Sequence, residues 1–170
     1  MPYLRIYIVF LFIASGFVSN AQNKTSYFMI EGNISKTVKI DWAILKTYKT
    51  ISLDSMTVFN HGMQKLVSLK KIKGVLLKDI LNKVVFASKS PKTLSEFYIV
   101  CVGKDGYKVV FSWNELFNDE SGNHTMIVTE KDGSPTVGSK DAIELITPTD
   151  KVTARRYVKA LSKIIIQKVN

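Results

Sequence analysis

Apolar and polar positions along this chain fall into short runs separated by turn residues. Tyr27 to Glu31 and Thr37 to Ile40 read as strands around a turn at Gly32-Asn33. Asp41 is placed to cap a short helix from Trp42 to Tyr48, with Trp42, Leu45 and Tyr48 along one side. Ser55 to Asn60 reads as a strand ending in a turn at Asn60-His61-Gly62. After Lys73-Gly74, Leu76, Leu77, Ile80, Leu81, Val84 and Val85 follow helical spacing, which predicts a helix over Val75 to Val85. A polar loop, Ser88 to Ser95, precedes the apolar run Phe97 to Val102. Gly103 to Gly106 separates that run from Tyr107 to Phe111, a hairpin pattern. Ser112-Trp113-Asn114-Glu115 matches a capping box and predicts a helix start. Thr125 to Thr129 and Ala142 to Thr147 read as strands, with a turn at Lys131 to Ser134 between them.

The C-terminal end is open between two patterns. Ala154, Tyr157, Val158 and Leu161 have helical spacing, whereas Ile164-Ile165-Ile166 favours a strand. Strands predominate and regular βαβ alternation is missing. The expected class is therefore α+β, with a mixed or antiparallel, largely β core and short helices.

Ile6 to Ile13 stands apart as eight apolar residues without a break, after Arg5 and before Val18-Ser19-Asn20-Ala21. This is the pattern of a signal peptide over residues 1–21, and it is too short for a spanning helix of about 20 residues. The expectation is an exported protein, periplasmic or secreted, with a single domain over 22–170 and no membrane span after cleavage.

Composition excludes several classes. With 46% hydrophobic and 22% charged residues the chain holds enough apolar material for a core. One cysteine excludes a disulfide-stapled scaffold, and Cys101 lies within an apolar run typical of a buried strand. Lys and Arg outnumber Asp and Glu by 24 to 14, a net +10. From Lys151 onward there are six cations (Lys151, Arg155, Arg156, Lys159, Lys163, Lys168) and no acid. Such a cluster suits an anion, phosphate above all, which Arg grips at two points; a merely solvated basic face is the plain alternative. Export argues against nucleic acid as the partner.

Familiar catalytic patterns are absent from the sequence. No serine stands in a G-x-S-x-G elbow, and no G-x-G-x-x-G or P-loop occurs. His61 and His124 are distant from each other, each in a turn context, so no metal site is expected. Asp119-Glu120 reads as a solvated carboxylate pair, and no catalytic residue is assigned.

Three ordered segments carry a resemblance. They are Lys73-Gly74-Val75-Leu76-Leu77-Lys78-Asp79-Ile80-Leu81, Asp105-Gly106-Tyr107 through Ser112-Trp113-Asn114-Glu115-Leu116, and Ile146-Thr147-Pro148-Thr149-Asp150-Lys151 running into Arg155-Arg156-Tyr157-Val158-Lys159. Together, over roughly residues 28–166, they resemble the molybdopterin-binding domain of sulfite-oxidase-type oxidoreductases, in a small exported form. The resemblance implies a compact α+β fold and a cleft in which catalytic members hold a molybdenum–pterin group through one cysteine. It places the cleft among Asn60, His61, Asp105, Tyr107, Arg155, Arg156 and Lys159.

The chain departs from that family at positions that bear on mechanism. Val58 to Lys65, where the ligand cysteine is expected, has none, and Cys101 comes too late. Glu144 stands where the family has an arginine, and Lys159-Ala160 stands for a usual Lys-Trp. Without a thiolate, oxo-transfer chemistry loses its metal ligand, and no cofactor is expected, although molybdopterin is what the resemblance would supply. The expected function is a non-catalytic exported domain binding an anionic small molecule or another exported protein in the old cleft. A molybdopterin-dependent oxidoreductase and a ligand-free structural module are the alternatives.

Overall fold

Phe28 and Ile30 are buried and the residues beside them are not, so Tyr27–Gly32 (β1) has one apolar face. It pairs antiparallel with Val38–Asp41 (β2). These elements come from a computed structural model that describes residues 26–139 and 143–169; the expected signal peptide lies outside the described residues. Asp41 caps the next helix as its residue type predicts, accepting the Ile44 amide at 3.0 Å. That helix is one turn, Trp42–Leu45 (α1), shorter than expected because the Thr47 and Tyr48 amides donate to the Ile44 and Leu45 carbonyls only three residues back, which ends the helical ladder in a turn.

Thr50–Phe59 (β3) and Lys65–Leu76 (β4) form a long antiparallel hairpin. β4 corrects the helix expected from Val75. Gly74, Val75 and Leu76 pair with Val128, Ile127 and Met126, so ladder bonds take these residues and the helix spans only Leu77–Leu81 (α2). Gly74 permits that pairing, since a Cβ there would lie 2.6 Å from the Ile127 carbonyl oxygen.

Phe97–Gly103 (β5) and Lys108–Ser112 (β6) make the expected hairpin, followed by Trp113–Phe117 (α3). Met126–Lys131 (β7), Ser134–Pro135 (β8) and Glu144–Ile146 (β9) come next; the strand expected from Ala142 has its first residue outside the described residues. The open C-terminal end divides into a 3-10 turn, Thr153–Arg156, and a strand, Leu161–Lys168 (β10).

Two sheets result. One has the order β2-β1-β10-β5-β6, with β1 and β10 parallel and the other pairs antiparallel. The other runs β3-β4-β7-β8, with β9 also on β7. The class is α+β with a mixed, largely β core. The main core lies on the first sheet, where Phe28, Phe97, Phe111, Ile164 and Ile166 are buried with α2 and α3 against them. A smaller cluster packs Met56, Val58, Ile72, Val128 and Tyr157 on the second sheet. Leu145 and Val158 exchange backbone bonds of 2.9 Å each, which joins β9 to the segment entering β10. Among the described residues no helix is long and apolar enough to cross a membrane.

Candidate functional site

Three sequence-distant segments meet at the Thr153–Arg156 turn. Thr153 is buried, and its hydroxyl accepts from the Phe59 amide and donates to the Thr57 carbonyl, both at 2.8 Å. The end of β3, just before Asn60, is thereby fastened to the turn. From the other side the Tyr107 hydroxyl donates to the Arg155 carbonyl at 2.6 Å. The Lys104 amide donates to the Ala160 carbonyl at 3.0 Å. Gly103 lets the hairpin come this close, because a Cβ would meet Asp105 Oδ1 at 2.7 Å and the Lys159 carbonyl oxygen at 2.9 Å. Asp105, Tyr107, Arg155 and Lys159 therefore share one neighbourhood.

The side chains divide into committed and exposed groups. Asn60 is used inside its own turn: Oδ1 accepts the Gly62 and Gln64 amides at 3.0 and 2.9 Å, and its amide donates to Gln64 Oε1. His61 is exposed at the β3–β4 turn. Asp105 Oδ1 accepts the Tyr107 amide at 3.0 Å, which shapes the β5–β6 turn. Arg156 differs most from a free anion ligand. Its Nε donates to Asp150 Oδ2 at 2.7 Å, its other nitrogens reach Asp150 and Glu115, and the guanidinium lies 4.7 Å from the centre of the Phe111 ring. Hydrogen bonding to Asp150 raises its pKa above the ordinary arginine value, with Glu115 adding to it against the opposing effect of burial. Arg155 and Lys159 are exposed, and Lys159 Nζ lies 5.6 Å from the Tyr157 ring centre.

Glu144 is completely buried. Its carboxylate accepts from Lys131 Nζ and from the Tyr157 hydroxyl, each at 2.5 Å. The charge reversal relative to the resembling family is thus absorbed inside the second sheet. Nothing local in the sequence points to this trio or to Thr153, whose partners lie 94 and 96 residues away.

Cys101, the one cysteine, is fully buried in β5 between Val109 and Ile164, and burial pushes its thiol pKa up. The donor set does not fit a molybdenum–pterin group held by a protein thiolate. The sulfur is in the core, Asn60 serves its turn and Arg156 serves two carboxylates. Among the described residues no three His, Cys, Asp or Glu side chains gather as a metal site. Surface clefts among the described residues lie elsewhere. One, of about 290 Å³, includes Asp54, Lys71 and Glu130; another, of about 260 Å³, includes Phe86, Trp113 and Phe117.

No protein-family model matches the chain, and no curated protein sequence matches it. Solved structures do. The sulfane dehydrogenase SoxCD from Paracoccus pantotrophus is similar with a TM-score of 0.63 and 14% identity, over 86% of this chain and 39% of that one. The chain spans less than half the length of that protein. At this identity the likeness is one of fold: the chain has the sulfite-oxidase-like α+β architecture that the three motif segments imply.

Proposed function

We propose that this chain is a non-catalytic binding domain that takes an anionic small molecule at Arg155 and Lys159, beside the Asp105–Tyr107 hairpin. The reading is carried by the division between two adjacent arginines. Arg156 neutralises Asp150 and Glu115, so neither carboxylate competes for Arg155. Arg155 is meanwhile held by its backbone through Tyr107, with its side chain exposed. Fixed backbone and free guanidinium together favour a phosphate-like group, which Arg binds at two points. An anionic group on an exported protein partner would meet the same cations. The core position of Cys101 supports the absence of thiolate-dependent chemistry.

The test is a thermal melt with inorganic phosphate. Phosphate should raise Tm in the wild type and in Lys92→Ala, and should lose its effect in Arg155→Ala. Equal loss in both variants means general charge screening and refutes the site. Stoichiometric molybdenum in natively purified protein refutes the non-catalytic assignment.

A further inference from the structure

β4 leaves β7 at Lys73, and the last contact of the β3–β4 hairpin with the β7–β8 turn is at Lys70, whose amide donates to Asp132 Oδ1 at 3.0 Å. Beyond it, residues 60–67 form a tip with unusual exposure of apolar side chains: Met63 55%, Leu66 61% and Val67 45%. Leu66 is the extra residue of a bulge, since Val58 pairs with Val67 and Phe59 with Lys65. Bulges of this kind redirect side chains. Met63 has φ 59, in the left-handed region where glycine is the default. Its amide donates to the Asn60 carbonyl at 3.0 Å, so the strained position belongs to the turn itself. A turn alone is better served by glycine there, and the methionine adds only an exposed, flexible, apolar side chain.

Charge defines what meets this tip. Lys65 stands in the tip and the exposed Lys70 and Lys71 follow it on β4, with no acidic residue between Ser55 and Lys71, whereas Lys73 is already paired with Glu130. Thr153 fastens the turn that carries the exposed Lys151 and Arg155 to the end of β3, next to the tip. A second copy brings the same positive charge and is disfavoured. Three side chains also fall far short of the roughly 800 Å² per partner that a stable protein interface buries. Shallow insertion of a few apolar groups flanked by cations is what an anionic lipid interface accepts. We infer that the β3–β4 tip docks on an anionic phospholipid surface, with Met63 and Leu66 entering the acyl boundary.

The test is co-sedimentation of the full chain with phosphatidylcholine vesicles and with vesicles of phosphatidylcholine and phosphatidylglycerol. Binding should require the anionic lipid, and Met63→Gly and Leu66→Asn should each weaken it about tenfold. Met63→Gly relieves the left-handed strain, so its Tm should not fall and lost docking is separated from lost folding. Any binding through the apolar Ile6–Ile13 segment is measured as the phosphatidylcholine baseline of each variant and subtracted before the anionic-lipid response is compared. Equal binding by wild type and both tip variants, or no binding to anionic vesicles, overturns the inference. Met63-dependent binding to soluble poly-glutamate without vesicle binding overturns it in favour of an acidic protein surface. Phosphate stabilisation through Arg155 is read separately and stands or falls independently of these results.

Discussion

Arg156 and Asp150 form a two-point ion pair in which the guanidinium Nε donates to Oδ2 at 2.7 Å and a second nitrogen donates to Oδ1. The pair closes the loop between β9 and the Thr153–Arg156 turn, and Glu115 joins it from α3. A single ammonium cannot reproduce this planar, three-donor contact. Arg156→Lys should therefore cost about 1–3 kcal/mol, measured by chemical denaturation. An unchanged midpoint would show that the pair adds nothing to stability.

The cap of α3 is built from one bond. Ser112 Oγ accepts the Glu115 amide at 3.0 Å, while the Glu115 carboxylate turns to Arg156. Ser112→Ala should cost about 0.5–2 kcal/mol. A double-mutant cycle should find Glu115 coupled to Arg156 and nearly additive with Ser112. Strong coupling between Ser112 and the Glu115 side chain would instead indicate a complete capping box.

The buried Lys131–Glu144–Tyr157 group predicts an asymmetry. Lys131→Met leaves a carboxylate with no exposure facing only a hydroxyl, whereas Glu144→Gln leaves a lysine whose side chain still reaches solvent. Breaking a buried pair typically costs about 3–5 kcal/mol when the orphan stays buried. Lys131→Met should approach that range, and Glu144→Gln should cost less, about 1–3 kcal/mol. The reverse order in urea melts would contradict this arrangement.

Cys101 gives a pH dependence. Its thiol pKa is raised by burial, so above the ordinary cysteine range the unfolded chain loses a proton that the folded chain keeps. Stability from this group is full at low pH and falls as pH rises, by at most about 1.4 kcal/mol per pH unit. Cys101→Ala should show a shallower alkaline loss than the wild type, whatever its absolute stability. The native thiol should also resist aromatic disulfide reagents and react fully in guanidinium; fast native reaction would place it outside the core.

Several features were legible because their causes are local. Asp41 and Ser112 cap helices through an amide three residues away, and Gly103 to Gly106 turns between two apolar runs. The strand-rich α+β class followed from the same short-range signals. Strand β4 was hidden because Lys71, at φ 46, interrupts the alternation, leaving buried Leu69 and Ile72 three positions apart. Tyr157, Val158 and Leu161 imitated a helical stripe although each is buried against something different: Tyr157 on Glu144, Val158 on Leu145, Leu161 beside Gly103.

The chain's own order of residues thus determined where turns, caps and apolar strands would form, and it concentrated positive charge near the C-terminus. Which cations stay exposed was decided only in three dimensions. Arg155 and Arg156 are neighbours with equivalent local surroundings in the sequence. Folding carries Glu115 and Asp150 to one and the Tyr107 hydroxyl to the backbone of the other. A side chain's partners across 41 residues depend on how two sheets are assembled, and no short-range pattern encodes that assembly.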